Sequence, residues 1–378
     1  MNILILNIPC YGFGDIIFAY KFANYMKSWY KKSTITIATS DVTKFKQLIE
    51  SDSKISLVEL VPKKGTKVDC IKFKNLRLKY HLHIQDLIFI APLVSDFEIS
   101  YNDISSLLPY SDKNNTFFLS EYNDDLKKDF TLPTGIGKNR LGLLLSSPSK
   151  NETIPQLYDK SYFVVYIAEN KMSYNCFFNF FKMICKKHHT KLNIIDLVIP
   201  HFIFNDIIDE YYRKKTLYNL FYKTVKKYFS SYNIISNDFI SNNIINKNSL
   251  KPILNINIDI YPLKHSDMIS LFQYSEKDIL ITGDQSLTDV LSCCPTKNIY
   301  YQTMPWKQDL AENLAKYFPA KFLKNPTQSC GLENLQYNSN YKKFIKDWDF
   351  RTKGKKIIDK IIYNFKSKPR KSKPRKSK

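Results

Sequence analysis

The sequence predicts an α/β protein of two doubly wound domains facing a cleft, and three observations point there. The chain has 378 residues, about twice the length of an ordinary domain. It opens with the continuous apolar run Ile3 to Ile8, a glycine turn at Tyr11-Gly12-Phe13-Gly14 and an amphipathic helix starting at Asp15. A second strand, turn and helix of the same kind recurs late, across Asp278 to Cys293.

In the first half, Ile16, Ala19, Tyr20, Ala23 and Met26 share one helical face. A strand over 34–39, a helix over 41–50, a strand over 56–61 and a buried strand over 82–91 continue the alternation that a parallel sheet requires. From about Tyr101 to Lys138 the periodicity fades into Asn, Asp and Ser and reads as loop. The expected division is therefore an N-terminal domain over 1–138, a C-terminal domain with closing helices over 139–365, and a basic tail over 366–378.

The second half reads as strands over 140–146, 162–167 and 191–199 with a helix over 174–188. The stretch 206–229 suggests one helix in a segment that is otherwise hard to parse. Then follow a helix Ser266–Tyr274 with a Ser cap, a strand Asp278–Thr282, a turn Gly283–Ser286, a helix Leu287–Cys293 and a strand Lys297–Tyr301. Helices at about 306–317 and 340–364 close the chain.

Hydrophobic residues make up 44% of the chain, which excludes a disordered protein outside the tail. The net charge is +22, but eight Lys and Arg and no acid lie between Lys366 and Lys378, so 22 minus 8 leaves +14 for the body. A basic body suits anionic substrates such as diphosphates, and the tail alone can supply weak, non-specific nucleic-acid binding. No zinc finger, aromatic RNA-binding signature or heptad-bearing basic helix accompanies that charge. Seven Cys, an odd number without a C-x-x-C pair, read as buried thiols in a reducing compartment. Neither a signal peptide nor a membrane span is expected, and the expectation is a soluble, intracellular protein.

Only nine Gly occur, so Gly12, Gly14 and Gly283 at strand-to-helix turns carry information. Glycine lets a ligand approach the backbone, and the helix behind it offers free N–H groups to an anion. Sterics alone also favour glycine at such turns, and neither turn completes a dinucleotide or P-loop fingerprint.

Ser266-Asp267-Met268 to Leu271 followed by Asp278-Ile279-Leu280-Ile281-Thr282-Gly283-Asp284-Gln285-Ser286-Leu287-Thr288-Asp289 resembles the donor-binding region of GT-B glycosyltransferases. Gly12-Phe13-Gly14-Asp15-Ile16 is similar to the first loop of several such enzymes, and the pair of loops looks most like the protein-arginine rhamnosyltransferases, which carry comparable Gly-Asp and Glu-Asp-Ser elements. The resemblance implies two Rossmann-like domains, a nucleotide-sugar donor used as substrate with no further cofactor, and an acceptor of unknown kind, protein or glycan. It implies that Gly283, Asp284, Gln285 and Ser286 receive the donor diphosphate, together with Gly12 and Gly14, and that Asp289 contacts the ribose where the family more often has Glu.

An inverting transfer needs a group to take the acceptor's proton, and Asp15 is the candidate base; a helix N-terminal acid placed for dipole reasons is the alternative. Ser286 with Asp289 also resembles a capping box, and capping and anion binding draw on the same N–H groups. His265, just before the donor-region helix, can approach the nucleotide. His81 and His83 beside Asp86 find no third ligand at motif spacing, so no metal site is expected. His188-His189 suits a helix C-terminus, and Tyr300, Tyr301 and Trp306 suit core packing or contact with a base or sugar. No Asp-x-Asp stands in a donor context, which favours metal-independent transfer. The competing readings are a nucleotide-sugar epimerase or hydrolase of the same fold and a non-enzymatic basic nucleic-acid-binding protein.

Overall fold

The computed structural model describes residues 1–9, 12–50, 54–63, 75–80, 82, 85–93, 99–124, 130–151, 154–246, 249–304, 307–317, 330–332 and 341–367. The first lobe is a sheet of β1 (Asn2–Asn7), β2 (Thr34–Thr39), β3 (Ile55–Pro62), β4 (Leu76–Leu78), β5 (Leu87–Leu93), β6 (Thr116–Ser120) and β7 (Thr131–Leu132) in the order β4-β3-β2-β1-β5-β6-β7. Every pairing is parallel except β3 with β4. The central strand is apolar on both faces because both are covered, and Ile3, Leu4, Ile5 and Leu6 are wholly buried. Helices α1 (Gly14–Trp29), α2 (Val42–Leu48) and α3 (Tyr101–Leu107) flank it. Asp41 caps α2, and Ser100 with Asp103 forms a capping box on α3.

The second lobe holds β8 (Tyr162–Tyr166), β9 (Ile194–Val198), β10 (Ser231–Ile235), β11 (Ile240–Ile244), β12 (Ile253–Asn257), β13 (Asp278–Thr282), β14 (Asn298–Gln302) and β15 (Cys330–Leu332), ordered β11-β10-β12-β9-β8-β13-β14-β15. Only β11 and β15, at the two edges, run antiparallel to their neighbours. Its helices are α4 (Ser173–His188), α5 (His201–Ile207), α6 (Lys215–Tyr228), α7 (His265–Tyr274), α8 (Asp284–Cys293) and α9 (Gln308–Ala315). Strand order reverses at β1/β5 in one lobe and at β8/β13 in the other, the places where doubly wound sheets open a crevice beyond their carboxyl ends. The chain thus adopts two Rossmann-like units facing one another, the GT-B plan.

After the second sheet the chain returns to the first lobe through α10 (Tyr341–Trp348) and α11 (Phe350–Ser367). The Phe350 ring stacks on Tyr25 and Trp29 of α1, and the Tyr30 hydroxyl donates to Asp359 at 2.6 Å. Segment 140–146, expected as a strand, makes isolated bridges instead: Leu143 exchanges backbone hydrogen bonds with Trp348 and Phe350, so it serves as a strap between lobes.

Other elements also differ from the sequence reading. The polar stretch 101–138 contains α3, β6 and β7, because the short apolar run Phe117-Phe118-Leu119 is enough for a buried strand. The helix expected over 206–229 is two helices, interrupted where Asp206 ties back to Lys214 through an ion pair at 2.6 Å and a backbone hydrogen bond. Helix α7 starts at His265 after Lys264 without a side-chain cap, and Ser266 lies inside its first turn, donating to Glu50 of the first lobe. Cys176, Cys185, Cys293 and Cys294 are free and buried. His188 ends α4 with Nε2 3.4 Å from Asp278. His81, His83, Trp306 and the tail beyond Ser367 lie outside the described residues, within which no metal-binding cluster occurs and no helix is long and apolar enough to cross a membrane.

Candidate functional site

Both helix starts expected to matter are brought to the same cleft. Asn7, buried at the end of β1, fixes the first of them: its amide donates to the carbonyls of Asp15 and Ala91, each at 3.1 Å, and its oxygen accepts from Thr39. In the second lobe Gln302 plays a similar part, exchanging hydrogen bonds with Ala168 while its carbonyl accepts from Thr282. A Cβ built on Gly14 would lie 3.9 Å from the Gln285 side chain, so the α1 and α8 amino ends touch across the lobes.

Gly283 has φ +80°, a conformation that favours glycine, and a Cβ there would meet nothing within 4 Å. Its backbone is therefore open to a ligand. Helix α8 begins at Asp284, three residues earlier than the sequence suggests, with Gly283 as the cap residue and no side-chain cap. The capping box expected between Ser286 and Asp289 is absent, and no side chain caps the first-turn amides. The Ser286 hydroxyl is instead paired with Tyr166, whose phenol burial pushes up to about 12.

Asp289 is turned inward. Its Oδ1 lies 2.5 Å from Lys21 Nζ and accepts from Ser146 Oγ at 2.5 Å, and its Oδ2 lies 3.0 Å from His265 Nε2. Burial alone would raise its pKa, but Lys21 and His265 outweigh burial and hold it well below the usual carboxylate range. Lys21 also donates to Thr288 Oγ1 at 3.2 Å and to the Gln285 carbonyl at 3.4 Å. One lysine of the first lobe thereby grips two turns of the second lobe's helix.

A second charged group also bridges the two lobes. Lys307, just before α9, places Nζ 3.0 Å from Glu121 Oε2 and 3.0 Å from Asp284 Oδ2, with Asp124 at 3.9 Å. Glu121 comes from the first lobe, immediately after β6. Burial first, then the charge of Asp284 and a smaller push from Asp15, lift its pKa to about 8 against the pull of Lys307. Burial therefore favours the protonated form of Glu121, and the ion pair with Lys307 favours the charged one. Burial would lower the Lys307 pKa, yet the carboxylates of Asp284, Glu121 and Asp124 raise it on balance. Asp15 is buried in the first turn of α1, within electrostatic reach of Glu121.

Lys21, Glu121 and Lys307 were not singled out by sequence. Glu121 was hidden in the stretch read as loop, although an acid directly after a buried parallel strand falls on the ligand-binding edge of such a sheet. Lys21 was legible as a cation inside an otherwise apolar helical face.

No family model matches the sequence, and no curated protein matches it. Among solved structures the chain is similar to an alpha-glucosyltransferase in complex with UDP and a 13-mer DNA containing an HMU base, at 10% identity and a TM-score of 0.45 over 96% of this chain and 99% of that one. It is similar to a trehalose-6-phosphate synthase at 10% identity and TM-score 0.43, covering 96% and 99% of the two chains. It is also similar to a glycosyltransferase from Rickettsia africae ESF-5 at 11% identity and TM-score 0.43, again covering 96% and 99%.

Proposed function

We propose that the protein is a glycosyltransferase that moves a sugar from a nucleotide-sugar donor to an acceptor by inverting, metal-independent transfer. The observation that carries this reading is the contact of Gly14 with Gln285, which joins the α1 start and the open, uncapped α8 start in one cleft.

The donor diphosphate lies against the first turn of α8, where the Asp284, Gln285 and Ser286 amides and the helix dipole stabilise negative charge and the bare Gly283 backbone admits close approach. The Asp284 carboxylate does not repel it, because Lys307 neutralises that side chain. As the bond between sugar and diphosphate breaks, charge grows on the departing phosphate, and preoriented N–H groups favour that state over the ground state. Asp15 takes the proton of the acceptor hydroxyl or amide. His265 and Asp289 act one layer behind the donor, positioning α8 through Lys21 and Ser146, since neither Asp289 oxygen is open to a ribose hydroxyl in this arrangement.

The test is release of nucleoside diphosphate from a panel of nucleotide sugars, with and without protein and glycan acceptors. Release that depends on acceptor supports transfer. Conversion of donor to a new sugar or to free sugar at the same rate without acceptor assigns the cleft to an epimerase or hydrolase and refutes the proposal.

A further inference from the structure

Helices α4 and α6 pack side by side on the outer face of the second lobe and leave a groove of about 660 Å³ between them. Five lysines line it: Lys182, Lys186 and Lys187 from α4, Lys223 and Lys227 from α6. Neither helix contains an Asp or Glu. Of the five, only Lys187 has an ion pair among the described residues, at 2.7 Å to Asp278. Lys182 with Lys186 and Lys223 with Lys227 are like charges four apart on a helix, an arrangement that costs stability in the free protein. An anion between the rows removes that cost.

The shape narrows the choice of anion. The lysines are exposed on two rims, whereas Met183, Leu220 and the Tyr228 ring lie half-buried between them as an apolar floor. A flat bilayer meets the rims and cannot reach a recessed floor. A single nucleic-acid strand can, with phosphates along the lysines and bases over the floor, which is the combination of charged groove and stacking surface that strand-binding proteins use.

We propose that the groove between α4 and α6 binds single-stranded nucleic acid through its phosphates. The site is separate from the cleft: Asp278, which pairs with Lys187, begins β13, and Gly283 follows the strand's other end, about 15 Å away at the usual strand rise. It does not rest on the reaction proposed above.

The experiment measures anisotropy of labelled oligo(dT) and oligo(rU) of about 15 nucleotides with the full chain across a salt series. The comparison is a variant carrying Lys182→Gln, Lys186→Gln, Lys223→Gln and Lys227→Gln, whose retained fold is checked by circular dichroism. The expected result is an affinity about tenfold or more lower and a salt slope smaller by about 3, since each phosphate contact on a single strand contributes about 0.7. Tyr228→Leu should weaken binding with the slope unchanged. No binding by the native chain, or equal binding and slope for the two proteins, overturns the proposal. So does a variant that loses only its retention on phosphatidylglycerol vesicles while binding oligonucleotide as before.

Discussion

Lys21 and Asp289 meet at 2.5 Å across the two lobes, each with 4% of its side chain exposed. At that depth each charge offsets part of the other's loss of solvation. Lys21→Met leaves Asp289 with His265 and Ser146 alone and should cost about 3 kcal/mol in denaturant unfolding. Lys21→Met combined with Asp289→Leu should cost less than the sum of the two single changes. A Lys21→Met loss below about 1 kcal/mol, the scale of a surface ion pair, would contradict the role given to this contact.

The same carboxylate sets an acid limit. The folded pKa of Asp289 is lowered, so its contribution is present at pH values above the ordinary carboxylate range and is lost as pH falls through that range toward the folded value. Asp289→Asn should therefore flatten the acid side of a plot of melting temperature against pH. An acid limb identical to that of the native chain contradicts the assignment.

Glu121 acts in the opposite sense. Its folded pKa is raised to about 8 from an ordinary 4.5, so between those values the folded chain holds a proton that the unfolded chain has released. Stability contributed there declines as pH rises through that window. Glu121→Gln keeps a neutral side chain and should lose less melting temperature between pH 5 and pH 8 than the native protein, as scanning calorimetry can show. Equal slopes for the two proteins would mean that Glu121 is ionised throughout.

Asp15 is assigned to proton transfer and not to donor binding. Asp15→Asn should lower kcat by about 100-fold while leaving the nucleoside diphosphate Kd within about twofold. An Asp15→Asn protein of normal kcat removes Asp15 from the mechanism.

Most of the fold was legible because its strands are buried on both faces and therefore read as unbroken apolar runs: Ile3 to Leu6 and Ile279 to Ile281 could be little else. What escaped notice depends on partners far away in sequence. Leu143 looks like strand but is a strap, because its partners Trp348 and Phe350 arrive some two hundred residues later. The start of α8 was misplaced because Gly283 replaces a capping side chain with a backbone turn, so a cap was sought at Ser286. In the cleft, Gly14, Asp15 and Gly283 were visible from their local turns. Lys21, Glu121 and Lys307 acquire meaning only when the lobes are docked and the carboxylates they face are known.

The central claim is that the exposed backbone at Gly283 and the α8 amino end hold a diphosphate. Thermal unfolding of the native chain and of Gly283→Trp, each with UDP, GDP and dTDP in turn, addresses it most directly. The account predicts that at least one of the three raises the melting temperature of the native chain, and that the indole, filling the space above residue 283, abolishes the rise in a protein that still melts cooperatively. No rise with any nucleotide, or the same rise in Gly283→Trp, would contradict it.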